Sequence, residues 1–161
     1  MAGRRIGVAM DFSEGSKAAL KWAIDGLLKK EDTLIVIHVK HRQALESRNL
    51  IWVDTGSPLI PFAELHNAGV MHGYGVEIDP EVLGLLDTIA NQLQVTVLGK
   101  IYWGDAREKV CEAVGAHELD ALIMGSRGLS SIQRVLMGSV TSYVLEHAAC
   151  PVTVVKAKNH H

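Results

Sequence analysis

The chain is poor in cysteine, in positive charge and in long apolar runs, and each scarcity excludes a class of protein. Two cysteines in 161 residues cannot build a disulfide framework. No apolar run approaches the ~18 residues that a membrane-spanning helix needs. The formal net charge is −2, which argues against nucleic acid as an electrostatically bound partner. We therefore expect a protein of a reducing compartment, the cytoplasm, with the nucleus left open as a second location.

Motifs of the best-known nucleotide enzymes and hydrolases are missing too. The chain contains no G-x4-G-K-[ST], no G-x-G-x-x-G after the first apolar run and no G-x-S-x-G. These absences argue against a P-loop nucleotidase, a dinucleotide-binding Rossmann domain and an α/β-hydrolase. The eight histidines show no H-x3-H spacing on a predicted helix, so we expect no metal ligands. We predict no catalytic residue.

Short apolar runs alternate with amphipathic segments along the chain. The runs predict strands over residues 4–10, 34–39, 95–98, 121–124 and 151–155. Strands that alternate with helices predict an α/β fold with a five-stranded, parallel, doubly wound sheet and helices on both faces. We expect one domain over residues 1–158 and interpret 159–161 as a tail or tag remnant.

Acidic residues mark the predicted helix starts. They are Asp11 with Glu14, Asp79 before Pro80, and Asp105 with Glu108. A carboxylate at a helix N-cap accepts a hydrogen bond from a free N–H group, and proline suits the first helical position. We therefore predict helices that begin at each of these three places.

Residues 41–79 interrupt the regular alternation. The stretch contains Pro58, Pro61 and several glycines, whereas an ordinary connection has about 4–6 residues. We interpret it as an insertion or lid within the single domain.

A glycine-rich segment follows the fourth predicted strand. Gly125, Gly128 and the pair Gly138-Ser139 have the spacing G-x2-G-x9-G-S. Glycines let the backbone approach a bulky anion, and a helix N-terminus offers free N–H groups and the positive end of the helix dipole. We predict a phosphate cradle built from residues 125–128 and 138–141. An ordinary strand–helix turn, with Ser139 as N-cap, stays open as the alternative.

Four further residues complete the predicted site, namely Arg127, Ser139, Thr141 and Asp11. The guanidinium of Arg127 can meet a phosphate with two hydrogen bonds, and the hydroxyls of Ser139 and Thr141 can donate to it. Ligands of doubly wound sheets bind at the carboxyl ends of strands where the strand order reverses. This rule places Asp11, at the end of the first strand, on the same edge as the glycines. A surface position for Arg127 and a capping role for Asp11 remain alternatives.

The spacing G-x2-G-x9-G-[ST] resembles the nucleotide motif of the universal stress protein family. The segments Met124-Gly-Ser-Arg-Gly and His147-Ala-Ala-Cys-Pro-Val-Thr-Val-Val resemble its small plant members, and Ile6 to Glu14 is similar to its first strand. The resemblance covers nearly the whole chain. It implies a Rossmann-like sheet of order 3-2-1-4-5, similar to that of adenine nucleotide alpha hydrolases. It also implies ATP, ADP or AMP as the ligand, with Mg²⁺ as a candidate companion.

The resemblance further implies which residues meet the nucleotide. Asp11 would face the base and ribose, and Ala9, Met10 and Val39 would form the base pocket, with core packing open as the alternative for Val39. The predicted binding residues are Ala9, Met10, Asp11, Val39, Met124, Gly125, Arg127, Gly128, Gly138, Ser139, Val140 and Thr141.

The resemblance implies a regulatory stress-response protein whose nucleotide occupancy alters a surface that partner proteins read. One alternative is a redox-responsive, holdase-like protein that uses Cys150 and holds nucleotide structurally, and another is a slow ATPase or autophosphorylating enzyme. The resemblance implies a homodimer through the edge strand 151–156, which would cover an apolar edge prone to aggregation. A monomer in which residues 41–79 cover that edge is the alternative.

Overall fold

The computed structural model describes residues 3–127 and 137–157 of the chain, so that the predicted tail at 159–161 lies outside it. Within the described ranges no helix is both long and apolar enough to cross a membrane. In chain order the elements are β1 (Arg5–Ala9), α1 (Glu14–Gly26), β2 (Thr33–Lys40), 3₁₀ turns over Arg42–Ala44 and Ser47–Trp52, β3 (Ile60–Pro61), α2 (Phe62–Leu65), α3 (Ala68–Gly73), α4 (Pro80–Asp87) with a π-helical turn over Thr88–Gln92, β4 (Thr96–Trp103), α5 (Ala106–Ala116), β5 (Ala121–Gly125), α6 (Ser139–His147) and β6 (Val152–Val155).

The described residues form one six-stranded sheet of order β3-β4-β2-β1-β5-β6. Every pair is parallel except that of β3 with β4. The predicted order 3-2-1-4-5 is confirmed, since it corresponds to β4-β2-β1-β5-β6. The predicted count of five is wrong because β3, from within the insertion, adds an antiparallel edge strand. A two-residue strand that ends in proline has no alternating pattern by which a sequence could reveal it.

Side chains alternate between the two faces of the sheet, and each face has its own apolar core. Ile6 and Val8 of β1 lie in the core that α1, α4 and the insertion cover. Leu122 of β5 lies on the opposite face, where α5 and α6 cover it. Helices therefore lie on both faces, as predicted. Burial on both sides explains why the central strands are continuous apolar runs.

Two of the three predicted helix caps are confirmed. The side chain of Asp79 accepts from the Glu81 N–H group, and that of Asp105 accepts from the N–H group of Arg107. The prediction for Asp11 is wrong, because Ser13 is the N-cap of α1. The Asp11 carboxylate instead accepts from the backbone N–H of Ser13 at 3.0 Å, in the turn that precedes the helix.

The insertion covers the β4 edge of the sheet. Ser57 holds it there, since its N–H donates to the Ile101 carbonyl at 2.8 Å and its hydroxyl accepts from the Ile101 N–H at 2.9 Å. Gly56, with a φ of 79°, lies against the Tyr102 ring, where a Cβ would come within 2.8 Å of ring carbons. The suggestion that the insertion covers the strand at 151–156 is therefore wrong. That strand, β6, is at the opposite edge.

A buried carboxylate ties the start of β1 to the turn after α1. The Asp32 side chain, 4% exposed, accepts from the backbone N–H and the guanidinium of Arg4 at 3.1 and 2.7 Å and from the Lys29 N–H at 2.9 Å. Burial raises the pKa of Asp32, but these bonds and the Arg4 charge outweigh it and hold the pKa below its usual value. The resulting stability is therefore present above the usual carboxyl pKa and is lost as pH falls through the folded-state pKa.

We expect Asp32→Asn to lower the free energy of unfolding by about 2 kcal/mol, because an amide leaves Arg4 without its counter-ion and replaces an acceptor with a donor. The Arg4 side chain is 40% exposed, so the larger cost of breaking a fully buried pair does not apply. Asp25→Asn, on the exposed face of α1, is the matched control. Urea unfolding at neutral pH measures both variants, and equal midpoints would contradict this role for Asp32.

Candidate functional site

A cavity opens at the carboxyl ends of β1, β2 and β5. Its free space is about 660 Å³ with the solvent-open mouth included. Eleven of the twelve predicted binding residues line it, namely Ala9, Met10, Asp11, Val39, Met124, Gly125, Arg127, Gly138, Ser139, Val140 and Thr141. The twelfth, Gly128, lies outside the described residues. The topology thus brings together three chain segments that are far apart in sequence.

Three helices begin at this cavity. Ser13, the N-cap of α1, lines it together with Ala106 at the start of α5 and Ser139 at the start of α6. Helices that follow parallel strands all start at the carboxyl edge of the sheet. Their dipoles therefore place partial positive charge around one space, and this arrangement favours an anion.

The first turn of α6 differs from the other two in its N-cap residue. Gly138 is the N-cap of α6 and has no side chain with which to cap the turn, whereas Ser13 caps α1 and Asp105 caps α5. The Gly138 N–H donates to the Ser126 carbonyl at 2.8 Å, and the first intrahelical bond runs from Ser142 to Gly138. The next three N–H groups, at 139–141, have no carbonyl of their own helix to meet. Ser139 is therefore not the N-cap, and this turn can bind an anionic oxygen.

The Thr141 hydroxyl holds α6 against β5. It is buried and donates to the Gly125 carbonyl at 2.8 Å. The hydroxyl proton of Thr141 is therefore already donated within the protein. This bond gives Thr141 a structural role at the site beside the predicted one.

Gly125 has a packing reason to be glycine beside the predicted one. A Cβ at this position would lie 2.6 Å from the Gly15 carbonyl carbon, and a Cβ at Gly15 would lie 2.4 Å from the Arg127 carbonyl oxygen. The end of β5 and the first turn of α1 thus meet backbone to backbone. The space freed by the missing side chain is filled by α1 and is not open to a ligand.

Apolar residues from the ends of β1 and β2 also line the cavity, beside Asp11. Met10, 2% exposed, donates its N–H to the Ile37 carbonyl at 2.8 Å and accepts from the Ser16 hydroxyl at its sulfur, 3.3 Å away. Val39 packs against the core and also lines the cavity, so both roles considered for it are compatible. Apolar lining of this kind suits an aromatic base.

Five further lining residues were not predicted. They are Ser13, Ser16, Ile37, Ala106 and Val110. The sequence could have indicated one of them. Ala106 directly follows the predicted cap Asp105, and the helix that begins there follows the carboxyl end of β4, which lies on the same edge of the sheet as the site. Val110 and Ile37 look like ordinary core residues in the sequence, because nothing local separates a core position from one that lines a cavity.

The chain matches the universal stress protein family over residues 3–156. It belongs to the universal stress protein family. Universal stress protein PHOS34 of Arabidopsis thaliana is 30% identical over 96% of this chain, which spans only 62% of that protein. The expected family is therefore confirmed, while the chain covers less than two thirds of this relative.

Solved structures of universal stress proteins share this fold. The structure of MJ0577, a protein of Methanocaldococcus jannaschii, is 25% identical with a TM-score of 0.68, and the match covers 99% of this chain and 100% of that one. An Arabidopsis thaliana member with AMP bound is 20% identical with a TM-score of 0.59, covering 96% and 92%. A member in complex with cAMP is 18% identical with a TM-score of 0.60, covering 98% and 100%.

We expect Thr141→Val to lower the free energy of unfolding by about 1–2 kcal/mol, because it leaves the Gly125 carbonyl without its buried donor. Thr141→Ser keeps the hydroxyl and should lose less than half as much. Chemical denaturation of the two variants beside the parent measures the difference. A stability for Thr141→Val equal to that of the parent would contradict this role for the hydroxyl, and a loss confined to Thr141→Ser would assign the effect to the methyl group.

Proposed function

We propose that this universal stress protein binds an adenine nucleotide, as ATP, ADP or AMP, and that occupancy regulates a surface read by partner proteins in a stress response. The observation that carries the proposal is the first turn of α6, whose N-cap is a glycine and which lines the same cavity as Arg127. The AMP-bound and cAMP-bound relatives support a nucleotide ligand. PHOS34 supports a plant-type member.

The two walls of the cavity suit the two ends of a nucleotide. We place the phosphates against the N–H groups at 139–141 and Arg127, and the base against Met10 and Val39. Asp11 then lies where a ribose hydroxyl can donate to its carboxylate. Among the described residues no group of three His, Cys, Asp or Glu side chains could hold a metal ion. We therefore propose that any Mg²⁺ binds with the nucleotide phosphates.

The thiols argue for a nucleotide-regulated protein over the redox-responsive alternative. Cys111 and Cys150 are both free and only partly exposed. Burial raises the pKa of each thiol, so that the reactive thiolate is scarce at neutral pH. Two free thiols also suit a reducing compartment, and we propose the cytoplasm or nucleus. Asp11 is the only acidic residue of the described chain that lines the cavity, so we propose no dedicated catalysis.

We expect the parent to bind ATP more tightly than GTP, and we expect Gly138→Val to lose ATP binding while it keeps the fold. Gly138 has φ −64° and ψ 157°, an extended conformation that valine readily adopts, so the backbone is not strained. The valine side chain would instead occupy space beside the N–H groups of the first α6 turn. Gly26→Val is the control, since a Cβ there has no neighbour within 4 Å.

Calorimetric titration of ATP, GTP and AMP, with mass spectrometry of any ligand released on denaturation, tests this proposal. A Gly138→Val protein that binds ATP like the parent would disprove the phosphate placement. A parent that binds ATP and GTP equally would disprove the base pocket. A parent that binds no nucleotide and releases none would disprove the function itself.

We also propose a homodimer through the edge strand at 151–156. In the described chain β6 pairs only with β5, and the carbonyls of Pro151 and Val155 accept from β5. By the alternation of a parallel strand, the N–H and carbonyl groups of Val152 and Val154 point away from β5. Exposed edge groups of this kind can pair with a second copy about a two-fold axis.

Val154→Pro should convert a parent dimer to a monomer, or to aggregate, because it removes an outward-pointing N–H group and leaves the bonds to β5 intact. Val154→Thr keeps both the N–H group and the β-branched shape, so it should remain dimeric. Light scattering at micromolar concentration measures all three proteins. A monomeric parent would rule this dimer out.

A further inference from the structure

The turn between β1 and α1 is supported from behind by His38 of β2. The His38 Nδ1 atom lies 2.7 Å from the Met10 carbonyl oxygen. Because a carbonyl can only accept, Nδ1 carries the proton and donates. The His38 ring also packs on Phe12, with ring centroids 5.0 Å apart. Met10 and Asp11 line the nucleotide cavity, whereas His38 does not.

The turn needs such support because one of its residues has an unfavoured backbone. Phe12 has a φ of 64°, a left-handed conformation that is rare for a bulky side chain without asparagine or aspartate chemistry. Such a residue persists only where its surroundings hold it. Contacts from His38 to the residues on either side of Asp11 meet that requirement.

The surroundings of His38 keep its ring neutral and fixed. A small apolar cavity lies beside it, walled by the insertion residues Leu65, Met71 and Val76 and by Val82 of α4. Burial lowers the pKa of His38 below its usual value, and Lys40 lowers it further against the opposite effects of the Met10 carbonyl and Asp11. At neutral pH the ring therefore acts as a neutral Nδ1–H donor.

We propose that His38 is a positioning residue for nucleotide binding, which holds the Met10–Phe12 turn so that Met10 and Asp11 meet the base and ribose. This inference rests on the proposed nucleotide function. The proposal also separates the two ends of the site. The phosphate side is formed by β5 and α6, whereas the contacts of His38 are with Met10 and Phe12 of the β1–α1 turn. Loss of His38 should therefore weaken recognition of the nucleoside and spare recognition of the phosphates.

Two variants separate the hydrogen bond from the bulk of the ring. His38→Leu fills similar space without a donor, whereas the amide nitrogen of His38→Asn occupies nearly the position of Nδ1 and can donate to the Met10 carbonyl. Calorimetry with AMP and with inorganic tripolyphosphate reports on the two ends of the site. Thermal unfolding, with a tripolyphosphate titration of each variant, establishes that the proteins are folded.

We expect His38→Leu to bind AMP about tenfold more weakly than the parent, in line with the loss of one buried hydrogen bond. Tripolyphosphate affinity should stay within about twofold, and His38→Asn should recover most of the AMP affinity. Unchanged AMP affinity in His38→Leu, an equal loss for both ligands, or no recovery in His38→Asn would each overturn the proposal. A parent that binds neither ligand would instead overturn the nucleotide function on which the proposal rests.

Discussion

Strand β1 must pair in parallel with two neighbours at once, and the site depends on that constraint. Ile6 pairs with Leu34 of β2 on one side and with Ala121 of β5 on the other. The chain leaves β1 toward β2 through α1 and returns later to β5, so the strand order reverses at β1. A reversal separates the connections on either side of it and leaves a crevice at the carboxyl edge. The candidate cavity is that crevice.

The same constraint explains how a chain with a net charge of −2 can offer an anion site. Parallel strands joined by helices place every helix N-terminus on one edge, so the favourable field comes from backbone dipoles and needs few charged side chains. Ser13 caps α1 and Asp105 caps α5, whereas the N-cap of α6 is a glycine without a side chain. Residues of the first α6 turn line the cavity together with Arg127.

The two edges of the sheet differ in a way that bears on assembly. The insertion covers the β4 edge with a two-residue strand and with the paired hydrogen bonds of Ser57. Within the described residues the β6 edge has no such cover, and its outward groups belong to short β-branched residues. The insertion also walls the apolar cavity beside His38, and none of its described residues lines the candidate site.

The sequence by itself determined the features that depend on near neighbours. The alternation of apolar runs predicted the parallel sheet, whereas its strand order came from the family resemblance. The caps Asp79 and Asp105 act within one helical turn, and the glycine spacing marked the cavity. Only the tertiary structure decided which groups meet across the chain. Asp11 is not the cap because the chain first turns through Phe12, with a φ of 64°, and Ser13 then caps α1. Gly125 faces Gly15, and the insertion lies on β4. Both contacts are selected by close packing between segments that are distant in sequence, so no local sequence pattern predicts them.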